Sequence, residues 1–401
     1  MKIVVNKKQK VLIVHNYYQI PGGEDTVVEN EKNMLIDNGH QVLMYTRHND
    51  DIKNKNILQK LLLPLETIFS VKTYRDVKRI IKKENIDIVH VHNTLPLISP
   101  SVYYAAIHSK VPVVQTVHNF RLLCPAATFT RKGMICEDCI HKGLICAVKN
   151  RCYRESFIQS LVSTANLVFH RIIGTYKKVN GYIALTQFNK EKLKSLINED
   201  KIFVKPNFVD FGYEKSTILN SKNKFLYLGR IDKLKGIDII LKAWKEIKDE
   251  ELYIVGSGPY EDEAKKFVLD NKMSNVKFLG FKNKDEVREL LKNTKALVMA
   301  SQWYEGFPMT IVESFALGVP VIAGDIGNLS IIVQNKKNGL LFKYDSYIDL
   351  KNKVELLKNK QFQEQLSQCA YKSYIEKYNK EINYSELIKI YKTVDRNNED
   401  M

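Results

Sequence analysis

Long apolar runs are missing from this 401-residue chain, and no stretch reaches the 18 or so consecutive apolar residues that a membrane-spanning helix requires. The amino end, MKIVVNKKQK, also lacks the charged-then-apolar pattern of a secretory signal. The expectation is a cytoplasmic protein that neither spans a membrane nor is secreted. Acidic residues are in deficit, with 45 Asp and Glu against 62 Lys and Arg, a net charge of +17. Most of the excess sits early: residues 1–200 hold 29 basic and 17 acidic residues, which leaves 33 and 28 for the remainder. Such a surface favours anionic partners, whether nucleic acid, phosphorylated substrates or acidic lipid. Cysteine is scarce except in one place, because five of the six fall between Cys124 and Cys152. Without a signal sequence, that clustering points to a local metal or thiol site before a disulfide framework. A GxGxxG turn after the first strand is absent as well, since VHNYYQIPGG has no such spacing, and this argues against a nicotinamide-dependent oxidoreductase.

What is present is an apolar fraction of 44% beside 27% charged residues, too apolar for disorder, in a chain too long for one ordinary core. Two domains follow. Short Val-, Ile- and Leu-rich runs recur with room for a helix between them, the βα pattern of a parallel sheet. The first six are 11–16, 41–46, 86–93, 111–118, 181–186 and 202–207; the second six are 224–230, 252–258, 276–281, 296–301, 319–324 and 339–344. The expected division is an N-terminal Rossmann-like domain over 1–206 with a Cys-rich insertion at 124–152, a hinge at 207–223 and a second Rossmann-like domain over 224–375. A C-terminal helix over 376–401, with a polar tail, returns to the first domain. Two such α/β halves facing one another would share a cleft at the carboxyl ends of their strands.

The most informative motif is Glu305-Gly-Phe-Pro-Met-Thr-Ile-Val-Glu313, after the strand ALVMAS. Pro308 suits the first turn of a helix, which leaves the amides of Met309 and Thr310 free to meet an anion. A carboxylate stands at each end of the motif; both also read as helix acids favoured by the dipole. Arg230 and Lys235 follow the strand KFLYLG and offer a planar fork and a point charge, enough to hold a diphosphate without a metal. Taken singly, each also reads as a solvated surface charge. Gly256 and Gly258 close the next strand where backbone can approach a ligand, and Gly22 and Gly23 precede a helix in the first half. His90 and His92 are read as facing opposite sides of their strand, with His92, beside Asn93, the one that lines the cleft.

These segments together resemble the family-4 glycosyltransferases, retaining enzymes of the GT-B fold that move a sugar from a nucleotide-diphosphate donor. The resemblance covers nearly the whole chain and rests on PGGEDTVVEN (21–30), VHVHNTLPLISP (89–100), TVHNFRLLCP (116–125), ALTQFNKEKL (184–193), PNFVD (206–210), GRIDKLKG (229–236), VGSGP (255–259) and the Glu305/Glu313 segment. It implies that Arg230 and Lys235 bind the donor diphosphate, with Gly22 and Gly23 approaching it from the other domain. Glu313 would hold the ribose, and Glu305 with the amides from Phe307 to Thr310 the transferred sugar. His118 would lie near the reacting centre, Phe281 at the base, and His92 and Asn93 on the acceptor side. The donor would be a UDP- or GDP-sugar and the acceptor a glycan or lipid-linked molecule, with no cofactor required for the chemistry and no nucleic acid bound. Related sequences commonly carry Gly in place of Phe208.

The cysteine loop has little apolar content and calls for a staple, which a tetrahedral zinc on Cys124, Cys136, Cys139 and Cys152 would supply in a structural role. Free thiols, disulfides or another metal stay open. Two amphipathic segments, Val71 to Lys83 and Phe157 to Ile173, have the composition of helices resting on acidic lipid, and equally that of domain-packing helices with a solvated basic face. A nucleotide-sugar epimerase of the same fold and a basic zinc-containing nucleic-acid-binding protein remain as alternatives, although no nucleic-acid fold signature is present.

Overall fold

The computed structural model describes residues 8–19, 22–211 and 224–399, with side chains to residue 395. The chain forms two compact units. The first comprises the residues up to Ala127, Glu137–Asn207 and those from Lys380 onward; the second comprises Thr128–Cys136 and Phe208–Asn379. Of the hinge expected at 207–223, residues 212–223 lie outside the described residues.

Each unit is built on a six-stranded parallel sheet. In the first, the spatial order is Gln41–His48, Lys10–Tyr17, Ile88–Asn93, Val113–Val117, Gly181–Ala184 and Ile202–Val204. In the second it is Val276–Gly280, Glu251–Val255, Lys224–Leu228, Ala296–Met299, Val321–Gly324 and Gly339–Phe342. All twelve lie within the apolar runs or a residue or so from them. Near-continuous Val, Ile and Leu suits strands covered on both faces, and Ile88–Asn93, Val113–Val117 and Ala296–Met299 are buried throughout. In each sheet the order reverses beside the first strand, which opens a crevice at the carboxyl ends of neighbouring strands.

The helices begin where the sequence can cap them. Ser70 accepts from the Thr73 amide to start Val71–Glu84, and Asn85, at φ 51°, ends it in the left-handed region. Asn283 and Glu286 form a reciprocal capping box for Lys284–Lys292. Gly236 is fixed by both space and angle, because its φ is +70° and an added Cβ would lie 1.9 Å from the Ala300 carbonyl oxygen. That turn holds Arg230 and Lys235 at the end of the sheet. The 20-residue helix Lys380–Glu399 belongs to the first unit, where Lys380 pairs with Asp37 at 2.7 Å.

The two amphipathic segments part company. In Val71–Glu84 the apolar residues Val77 and Ile81 are buried, while Val71 stands exposed beside the basic residues. Phe157–Ile172 is largely inverted: Ser160, Thr164, Asn166 and His170 face inward with Leu167 while Phe157, Ile158, Leu161 and Ile172 are exposed. A helix read past without notice in the sequence, Ile57–Ile68, exposes Ile57, Leu58, Leu61 and Leu65 in the same unit. The cysteine loop is less poor in apolar packing than its composition implied, since Phe129, Leu144, Ala147 and Val148 are buried.

Candidate active site

In the second unit, the end of strand Ala296–Met299 delivers Ser301, Trp303 and Glu305 to one place. Three donors converge on a single carboxylate oxygen: Ser301 Oγ at 2.5 Å, Lys235 Nζ at 2.7 Å and Trp303 Nε1 at 2.8 Å, all to Glu305 Oε1. The Lys235 ammonium also lies 5.2 Å from the centre of the Trp303 ring. Burial would raise the pKa of Glu305, but the charge and hydrogen bond of Lys235, with the Ser301 and Trp303 donors, outweigh it and hold the carboxyl below its ordinary value. Asn328 Nδ2 fastens the loop through the carbonyls of Glu305 and Gly306 at 2.5 and 2.7 Å. Sequence reading missed Ser301, Trp303 and Asn328. The first two were within reach as polar residues directly after a strand; Asn328 arrives from a separate helix and left no signal.

Glu305 precedes the helix Met309–Ala316. Pro308 is its N-cap, one place before the first-turn position expected for it, and the amides of Met309 and Thr310 open the helix. Glu313 sits further along with its pKa raised by burial, opposed by Lys284. Phe307 packs edge-on against Tyr378, with ring centres 6.2 Å apart. Arg230 is 62% exposed and pairs with Asp232, whose other oxygen accepts from the Leu234 amide and starts the turn that carries Lys235. Phe281 stands 81% exposed just beyond strand Val276–Gly280. For Gly256 and Gly258 the reading changes: added Cβ atoms would meet the carbonyl oxygens of Gly229 at 2.0 Å and Ile231 at 2.3 Å. These glycines let two strand-end loops lie against each other, and that close approach is to protein backbone.

In the first unit, Gly22 is the N-cap of Gly23–Asp37, and its amide donates to Asp25 Oδ2 at 2.9 Å. The first turn of that helix is acidic. Glu24, with Oε1 buried and without a hydrogen-bond partner, has its pKa pushed up to about 8 by burial and by Asp25, against the pull of Arg121. His118 follows strand Val113–Val117, with Nε2 2.9 Å from His92 Nδ1 and the two rings stacked. Its pKa lies well below the ordinary histidine value, first because of burial and then because of His92. His90 and His92 share one side of their strand and do not face opposite ways, since a strand alternates with period two; both look toward Glu31 Oε2, at 3.6 and 3.4 Å. Asn93 is engaged by backbone, donating to the Asn16 carbonyl at 2.7 Å and accepting from the Leu95 amide at 3.2 Å.

Beside this group lies a cavity of about 340 Å³, walled by Leu63, Ile158 and Val162 and carrying Lys60, Arg121 and Arg154. Asn166 Oδ1 and Arg121 Nε on its wall are buried with no hydrogen-bond partner. Nearby, Cys139 is hydrogen-bonded with Cys124, and that bond, burial and the closeness of Cys152 and Cys146 raise its pKa. None of these cysteines is in a disulfide. Cys146, which the sequence reading left out of the zinc ligands, also lies near Cys139.

Two family models match in succession, glycosyltransferase family 4 over residues 21–212 and glycosyl transferases group 1 over 213–374. The chain belongs to the family-4 glycosyltransferases. This family-4 glycosyltransferase is 26% identical over 368 residues to an uncharacterised glycosyltransferase of Methanocaldococcus jannaschii, covering 90% of this chain and 91% of that one. It is 24% identical over 365 residues to the alpha-monoglucosyldiacylglycerol synthase of Streptococcus pneumoniae, covering 82% and 74%. Its fold is that of the Anabaena protein HepE solved in complex with UDP-glucose, with a TM-score of 0.66 at 16% identity over 95% of this chain and 99% of that one. The epimerase and nucleic-acid readings give way to a transferase.

Proposed function

We propose that this glycosyltransferase moves a sugar, with retention of anomeric configuration, from a UDP-sugar to a lipid-linked acceptor of surface-polysaccharide synthesis while resting on the inner face of a membrane. The convergence of Lys235, Ser301 and Trp303 on Glu305 carries the donor half of this reading. With Oε1 saturated, Oε2 of Glu305 is left to accept a sugar hydroxyl. Arg230 and Lys235, with the amides of Met309 and Thr310, neutralise the departing diphosphate as the anomeric bond breaks, and attack proceeds from the face it leaves. Glu313 suits the ribose and the exposed Phe281 a base. UDP is preferred to GDP because the Anabaena neighbour was solved with UDP-glucose.

The acceptor half is supported by a cationic cavity flanked by outward apolar faces. A helix that turns Phe157, Ile158 and Ile172 outward while hiding serine, threonine, asparagine and histidine is built for apolar surroundings on its outer side, and Ile57–Ile68 adds leucines beside it. No described helix is long and apolar enough to cross a membrane. The pneumococcal relative's name is that of an enzyme of glycolipid synthesis. The gathering of Cys124, Cys146 and Cys152 around Cys139 supports a structural zinc, which would join the turn after Val117 to the short helices Asp138–His141 and Ile145–Lys149 without taking part in transfer.

The test is transfer from UDP-, GDP- and ADP-sugars to a polyprenyl-phosphate-linked glycan in anionic vesicles, with product configuration read by NMR. UDP-sugar is expected to react with retention. Full activity in folded Arg230→Ala, Lys235→Ala and Glu305→Ala alike would refute the donor site. Leu61→Glu/Ile158→Glu should reduce vesicle flotation while leaving UDP binding intact. Metal analysis should find zinc, and chelation should lower the melting temperature with donor turnover retained.

A further inference from the structure

Behind His118 the first unit contains a continuous line of buried polar groups that no step above uses. Lys205 Nζ lies 2.6 Å from Glu31 Oε1 and 2.8 Å from Asn383 Oδ1, and Lys205 and Glu31 are wholly buried. The second oxygen of Glu31 faces His92 Nε2 at 3.4 Å, and His92 Nδ1 meets His118 Nε2 at 2.9 Å. His90 braces the line from the side, bonded through Nδ1 to the Tyr391 hydroxyl and through Nε2 to Thr116 Oγ1, each at 2.7 Å. Ligand atoms of Glu31, His90 and His92 come within 4.8 Å of one another, a spacing that would also admit a cation, but the Lys205 ammonium already supplies the positive charge at Glu31.

Hydrogen-bond chemistry fixes the direction of this line. Burial would raise the pKa of Glu31, yet Lys205 and the imidazoles hold it well below the ordinary carboxylate value, so Glu31 is a carboxylate and can only accept. Glu31 Oε2 and His92 Nε2 face each other at 3.4 Å, both buried and neither in a hydrogen bond of good geometry, so a hydrogen on His92 Nε2 is the arrangement that avoids two opposed lone pairs. With one hydrogen on the His92 ring and that one on Nε2, His92 Nδ1 is a bare acceptor and His118 Nε2 donates to it. His118 Nδ1 is thereby left with a free lone pair, and among the described residues it has no protein partner. His118 lines a small cavity of about 50 Å³ together with Arg121 and Asn166.

We infer that Glu31 and His92 are positioning residues that lock His118 in the Nε2-protonated tautomer, so that His118 meets its sugar substrate as a hydrogen-bond acceptor, through Nδ1, for a sugar hydroxyl. The sugar as ligand rests on the function proposed above; the tautomer does not. Long-range ¹H–¹⁵N correlation spectra of the full chain labelled with ¹⁵N-histidine read it directly, with His118→Gln and His92→Gln assigning the two rings by loss of their signals. Protonated Nε2 and bare Nδ1 are expected in both rings. A proton on His118 Nδ1, or a doubly protonated His92, overturns the inference. In transfer assays, His92→Leu should lower kcat by about 10- to 100-fold. His92→Asn, whose amide oxygen can take the place of Nδ1 and accept from His118, should restore most of it. Equal loss in the two variants, each shown folded by circular dichroism, would count against a tautomer role. Calorimetry with UDP on the wild-type chain reads the donor site separately, so failure of the functional proposal appears there and not in the histidine spectra.

Discussion

Two lysine–glutamate pairs of almost the same length serve opposite purposes in this molecule. Lys205 and Glu31 meet at 2.6 Å with neither side chain exposed; Lys235 and Glu305 meet at 2.7 Å with 25% and 9% of their side chains exposed. The first pair has a second partner for its lysine in Asn383 and a histidine 3.4 Å from its carboxylate, and all of these groups lie within the fold. The second stands at strand ends, beside an arginine open to solvent, and its lysine can turn to an incoming anion. Distance does not separate scaffold from site here; the exposure of the lysine does.

The largest effect that would sharpen this contrast is on stability. Lys205→Ala leaves a buried carboxylate unpaired and should cost about 3–5 kcal/mol in urea unfolding of the first unit. A loss below about 1 kcal/mol would show that the carboxylate finds water or a proton and that the two pairs differ less than their burial implies. Next comes Lys235→Ala, expected to remove about 3 kcal/mol of transition-state stabilisation, roughly a hundredfold in kcat/KM, while unfolding shifts by less than about 1 kcal/mol. A comparable loss of stability would make this pair scaffold too.

The smallest expected effect concerns Glu24, which has no cation in hydrogen-bond reach and a pKa of about 8. Its folded-state pKa lies above the unfolded one, so the folded protein keeps a proton that the unfolded chain releases. Stability is therefore fullest below pH 4.5 and is lost as pH rises through about 8. Because the side chain retains 12% exposure, it can turn toward water on ionising. Glu24→Gln should add about 1 kcal/mol at pH 9 and nothing at pH 4. A pH-independent difference between variant and wild type would remove the titration from the account.

The sheets were readable because each strand lies in a compact apolar run, many of which end in Gly, His or Asn, and such a run reports its own burial. Arg230, Lys235 and Glu305 were readable for a related reason, standing directly after those runs. What could not be read depends on convergence from distant segments. Lys205 looked like the polar end of IFVKPN, and nothing local shows that it meets Glu31, 174 residues earlier. Asn328 and Tyr391 reach their partners in the same way. Ile57–Ile68 escaped because its leucines fill most of the helix surface and Pro64 interrupts it, so neither periodicity nor a break was clear. The misjudged faces of His90 and His92 are different in kind: the period-two rule suffices to place them together, and it was misapplied.

The helix Lys380–Glu399 supplies Asn383 to Lys205 and Tyr391 to His90, so the first unit is completed by a segment that follows the second. During synthesis the first sheet must wait, its buried lysine short of one partner, until the whole second unit has been translated. A nascent chain halted at Asn379 would hold a finished second unit and an unfinished first one.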